Sequence, residues 1–133
     1  MSVAATDSQA LIWYTLGLSK KIGRRARTQF ERAQRGEAMI YVPVLVLVEI
    51  GDANRRGVIQ CDPGFGRWVE RLLAHRHFVA VDLTPDIVIE AEAFYAIPER
   101  GDRLIAATAS HLDCPLITND PAITRLPGLT TIW

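Results

Sequence analysis

Two aspartates bracket the stretch GDRLIAATASHLDCPLITND at residues 101–120, and their placement suggests shared chemistry. Asp102 heads a run whose alanine and leucine content predicts a helix. Asp113-Cys114-Pro115 breaks that helix, because proline cannot continue a helix interior. Leu116-Ile117-Thr118 then reads as a short buried strand, closed by the turn residues Asn119-Asp120-Pro121. A helix followed at once by a buried strand is one unit of a parallel α/β sheet. In such sheets the ligand crevice lies at the carboxyl ends of the strands, beside helix starts. Both acids are therefore expected on one rim.

Two more acids fall at comparable junctions. Asp7 follows the small apolar residues Val3-Ala4-Ala5-Thr6, and Glu49 interrupts Val44-Leu45-Val46-Leu47-Val48, where a charge without a partner is costly. Four clustered carboxylates repel one another and either take up protons or bind cations. Donors that are all oxygen favour hard ions such as Mg²⁺ or Mn²⁺. A site of that kind polarises a phosphodiester and activates water for its hydrolysis. Singly, each acid also has an ordinary role: Asp7 with Ser8 in helix capping, Asp102 on a helix dipole, Asp120 in a turn before proline. Glu49 is the hardest to explain in that way.

The elements that must position these residues alternate along the chain. A first strand is expected over residues 3–6, with Ser8 at the N-cap of a helix that Gly17 ends. A second helix is expected over residues 19–35, where Ile22, Ala26, Phe30 and Ala33 recur at helical spacing. Ala38-Met39-Ile40-Tyr41-Val42 reads as a strand. Propensity makes Val44-Leu45-Val46-Leu47-Val48 a strand as well, but Pro43 suits the first position of a helix, and a helix to about Arg56 is expected, buried on most sides through its first turns. Phe65, Trp68, Val69, Leu72 and Leu73 form a helical stripe, residues 78–83 a third strand, and Thr84-Pro85 another helix start. Residues 98–101 read as a loop, 121–125 as a short turn or helix, and 129–132 as a final strand. The alternation predicts one α/β domain with a central, mainly parallel sheet flanked by helices.

Composition narrows the partners. With 133 residues, 49% of them hydrophobic and 23% charged, the chain reads as one globular domain. Its 15 basic and 15 acidic residues cancel, but between residues 19 and 36 Lys20, Lys21, Arg24, Arg25, Arg27, Arg32 and Arg35 face Glu31 alone. That basic arm, with Lys20, Lys21, Arg24 and Arg25 foremost, is a candidate contact for an RNA backbone or for an acidic protein tail, and equally a solvated helix face. Cys61 and Cys114 lack metal-site spacing, which predicts reduced thiols and a cytoplasmic protein. No apolar run is long enough for a membrane span and no secretory signal is legible, so no membrane partner is expected. His75, His77 and His111 read as structural, and Trp13, Trp68 and Trp133 as core or dimer residues rather than base-stacking platforms.

Four segments, in order and spacing, resemble the PIN-domain family: Asp-Ser-Gln-Ala-Leu-Ile-Trp at 7–13, Val-Glu-Ile at 48–50, Gly-Asp-Arg-Leu-Ile-Ala-Ala-Thr-Ala at 101–109 and Leu-Ile-Thr-Asn-Asp at 116–120. The resemblance covers the whole chain and is narrowest to VapC-type toxins of toxin–antitoxin pairs. It implies a small α/β domain with Mg²⁺- or Mn²⁺-dependent endoribonuclease activity, a homodimer, and inhibition by a cognate antitoxin. By position, Asp7, Glu49, Asp102 and Asp120 match the family's acidic metal-binding residues, and Ser8 and Thr118 match hydroxyl residues that orient carboxylates or water. Ser8-Gln9 stands where Thr-His is frequent, and Glu99 where many relatives carry an aspartate, which leaves Glu99 peripheral. Two alternatives share the fold: a PIN nuclease of housekeeping RNA processing, and a binding module without turnover.

Overall fold

Small and β-branched apolar residues build the middle of the molecule. A computed structural model of the chain describes residues 1–133, the side chain of Ser19 excepted. Strand β1 (Ser2–Thr6) runs into α1 (Ser8–Thr15), a 3-10 turn (Ser19–Lys21) and α2 (Arg24–Gln34). Strand β2 (Ala38–Pro43) leads directly into α3 (Val44–Arg55), followed by α4 (Phe65–Ala74). After β3 (Phe78–Val81) come α5 (Pro85–Glu90), a second 3-10 turn (Ala91–Phe94) and α6 (Arg100–His111). Strand β4 (Leu116–Ile117), α7 (Pro121–Thr124) and β5 (Thr131–Ile132) follow.

The five strands form one parallel sheet in the order β3-β2-β1-β4-β5. Helices cover a parallel sheet on both faces, so its strands read as apolar runs rather than as alternations. Ala4, Ala5, Ile40, Val42, Leu116 and Ile117 are accordingly fully buried. From β1 the chain steps outward through β2 to β3, then returns to the other side of β1 for β4. The direction of winding thus reverses between β1 and β4, the position where open α/β sheets form a ligand crevice. Register pairs Ala5 with Leu116 and Thr6 with Ile117, and the Asp7 N–H extends the ladder to the Ile117 carbonyl at 3.1 Å. Asp7 and the residues after Ile117 therefore emerge side by side.

The expected α/β architecture is present, with local differences. Residues 44–55 are helical despite their β-branched content, because Pro43 closes β2 and caps α3. That helix is less enclosed than expected, for Val46 and Ile50 are buried but Val48 is 54% exposed. The basic arm is not one helix. It divides at Ile22-Gly23, where Gly23 is the N-cap of α2 and a Cβ would overlap the backbone and indole of Trp133. Helix α6 begins at Arg100, with Glu99 at its N-cap, so residues expected in a loop already belong to its first turn. Ser8 is not the cap of α1: Asp7 is, and Ser8 is the first helical residue.

Candidate active site

The crevice is built from strand ends and helix starts. Asp7 leaves β1 and caps α1, its Oδ1 accepting from the Ala10 N–H at 2.8 Å. Asp120 lies three residues beyond β4 and caps α7, its Oδ1 accepting from the Ala122 N–H at 2.9 Å. Asp102 sits in the first turn of α6. These three acids line a single cleft of about 300 Å³ together with Ser8 and Asn119. Glu49 is not part of that lining. It stands at the border with a neighbouring cavity of about 730 Å³ between α1 and α3, and its Oε1 accepts a hydrogen bond from the Ser8 hydroxyl. Its other oxygen lies against α6 at Gly101, where a Cβ would meet it and the carboxylate, the movable end of its side chain, would have to shift.

Hydroxyl groups tie the acids together. Thr118 is fully buried and its Oγ1 accepts from the Asp120 N–H at 3.1 Å, fixing the turn that delivers Asp120. The same hydroxyl lies beside the Asp7 carboxylate and favours its charged form. Burial outweighs that help: loss of hydration, reinforced by the charges of Asp120 and Glu49, raises the Asp7 pKa to about 6. Asp102 is raised further, to about 7, by loss of hydration, by the charge of Asp120, by a hydrogen bond to Asp120 that needs a proton on Asp102, and by Glu49 and Asp7. Asp102 therefore feels the other three acids, and Asp7 feels Asp120 and Glu49.

As they stand, the acids are drawn toward caps, hydroxyls and a shared proton. Among the described residues no three aspartate, glutamate, histidine or cysteine side chains close around a single point. In kind, however, the donor set fits a hard divalent cation: it offers oxygen alone, and burial together with neighbouring carboxylates raises the pKa values of two of its acids toward neutrality. The remaining expected residues lie outside the acid cleft or at its edge. Lys20, Lys21, Arg24 and Arg25 are exposed on the 3-10 turn and the start of α2, where Arg24 and Arg25 border a groove of about 230 Å³ beside Ile132. Glu99 is exposed at the N-cap of α6 and makes no capping hydrogen bond. His75 and His77 bind the backbone carbonyls of Gln34 and Ala38, and His111 pairs with Glu90, all remote from the acids. Trp68 is buried. Trp13 and Trp133 pack on the core and also line the acid cleft, a position that no local pattern around either residue signals.

A parallel sheet wound this way, with acids converging at its switch point, defines a class of small α/β domains that bind ligands at strand ends. The family model described as PIN domain matches residues 4–129, and the chain belongs to that family. No curated protein matches the sequence. Solved structures do match in fold. One is VapBC2 from Rickettsia felis bound to a DNA fragment from their promoter, at TM-score 0.71 and 15% identity, covering 97% of this chain and 96% of that one. A toxin–antitoxin complex from Klebsiella pneumoniae aligns at 0.63 and 20%, covering 96% of each chain. DNA-bound VapBC from Salmonella typhimurium aligns at 0.65 and 15%, covering 98% and 97%. At these identities the likeness is one of fold. No helix among the described residues is long and apolar enough to cross a membrane.

Proposed function

We propose that this PIN domain is a Mg²⁺- or Mn²⁺-dependent endoribonuclease of the VapC type, the toxin of a toxin–antitoxin pair. The observation that carries the reading is the convergence of Asp7, Asp102 and Asp120 in one cleft, with Glu49 at its border. A binding module without turnover has no need of an acid cluster that opposes its own burial. In this reading Asp7, Glu49, Asp102 and Asp120 hold the ion. Bound there, a divalent ion would supply Lewis acidity to the phosphodiester and would lower the pKa of water so that the attacking hydroxide forms near neutral pH. Ser8 orients Glu49 through its hydroxyl, and Thr118 holds Asp7 and Asp120 in register. Lys20, Lys21, Arg24 and Arg25 contact RNA phosphates or an acidic segment of the antitoxin. A homodimer belongs to the same reading, and it would cover apolar surface such as Ile89, 70% exposed, and Tyr95, 81% exposed. The fold neighbours, two of them VapBC complexes and one a toxin–antitoxin complex, support an antitoxin as partner.

The test is RNA cleavage by purified, antitoxin-free protein. Cleavage is expected with Mg²⁺ or Mn²⁺, and its loss is expected in EDTA and in Asp102→Asn. Undiminished cleavage in either case overturns the mechanism.

A further inference from the structure

The acids account for part of the cleft wall, and two indoles make up another part. Trp13 on α1 and Trp133, which follows β5, meet edge to face with ring centroids 5.7 Å apart and planes at 64°. Both are half-buried: they pack against the core and face the cleft that holds Asp7, Asp102 and Asp120. An edge-to-face pair leaves a face of each ring uncovered by the other. The position of Trp133 is built into the fold, because Gly23 leaves room for its backbone and indole that any Cβ would remove. The Lys21 ammonium lies 5.8 Å from the Trp13 ring centroid, within reach of a cation–π contact. The exposed amides of Gln9 and Asn119 line the same cleft.

We infer that Trp13 and Trp133 form a nucleobase-binding subsite, which holds a base next to the phosphate presented to the acids. The inference rests on the ribonuclease reading and deepens it. Aromatic faces stack on any base, whereas the amides of Gln9 and Asn119 offer both donors and acceptors to a base edge. A base can reach an indole only when it has left a helix, so the subsite selects single-stranded RNA or a loop. It also gives the basic arm a direction. Ile132, the neighbour of Trp133, borders the groove lined by Arg24 and Arg25, so the next phosphates along the strand meet those guanidinium groups.

Binding measured in an Asp102→Asn background, where cleavage is blocked and the acid charge is lower, tests the subsite. The ligands are a labelled single-stranded oligoribonucleotide, its perfect duplex, and an abasic oligomer of the same length and charge. The single strand is expected to quench tryptophan fluorescence and to bind about tenfold more tightly than either of the others. Trp133→Phe keeps that preference and Trp133→Leu, equally apolar, loses it. Equal affinity for base-bearing and abasic strands overturns the inference, and that comparison holds whether or not a Trp133 variant folds. Cleavage by the unmodified protein separates the two claims. Cleavage without a preference for bases removes the subsite alone, whereas a preference for bases without cleavage removes the nuclease reading and leaves the subsite standing.

Discussion

Helix starts that follow different strands of this parallel sheet are satisfied in different ways. Away from the cleft, α5 is capped by Thr84, whose neutral hydroxyl accepts from the Ile87 N–H at 3.3 Å. At the carboxyl ends of β1 and β4 the same task falls to Asp7 and Asp120, with Asp102 between them. Capping needs an acceptor and does not need a charge. The cleft therefore carries more negative charge than its helices require, and burial of those acids, with their mutual repulsion added, raises two pKa values. Local conflict of this sort, inside a chain whose other elements agree with one another, is characteristic of a functional site.

The contrast can be broken by substitution. Asp102→Asn keeps the volume and removes the charge, so it should reduce cleavage by more than about a hundredfold while thermal melting of the metal-free protein stays level or rises. Ser8→Ala removes the hydroxyl that orients Glu49 and should weaken metal affinity by about ten- to a hundredfold, read by titration of activity against Mn²⁺.

Acidity sharpens the contrast further. In the folded, metal-free protein Asp7 and Asp102 hold protons to about pH 6 and 7, against about 3.9 for an unperturbed aspartate. The folded state then binds more protons than the unfolded state, so this contribution to stability is complete below about pH 4 and is lost as pH rises toward 7. Urea unfolding at several pH values should show that decline, and a saturating divalent ion should oppose it. The smallest effects compare the caps themselves. Thr84→Ala should cost about 1 kcal/mol in urea unfolding, whereas Asp7→Asn retains a capping acceptor and loses a repelling charge, so its stability at neutral pH should be unchanged or greater.

Much of this arrangement is legible in the linear chain, for identifiable reasons. Asp7, Asp102 and Asp120 stand at junctions between apolar strands and helices, and a parallel sheet brings such junctions to one edge. Pro43 outweighs the β-branched residues after it because a missing N–H is a constraint on the backbone and propensity is only a bias. What stays hidden depends on distant contacts. The break at Gly23 follows from Trp133 packing against it, and the Glu49 carboxylate lies against Gly101, each contact remote in sequence. Capping by Asp7 rather than Ser8 is a shift of one residue, and it frees Ser8 to bind Glu49 across α1 and α3. The pairing of Trp13 with Trp133 joins opposite ends of the chain, and no local period encodes it.

The central claim is that the excess charge of the cleft is there to hold a divalent cation. Calorimetric titration of Mn²⁺ into the metal-free protein near pH 6.5, repeated in buffers of different ionisation enthalpy, tests it directly. Saturable uptake accompanied by proton release, and abolished in Asp102→Asn, is the expected result, because a cation displaces the protons that the raised pKa values leave on Asp7 and Asp102. Absence of saturable uptake, or equal uptake by the variant, contradicts the account.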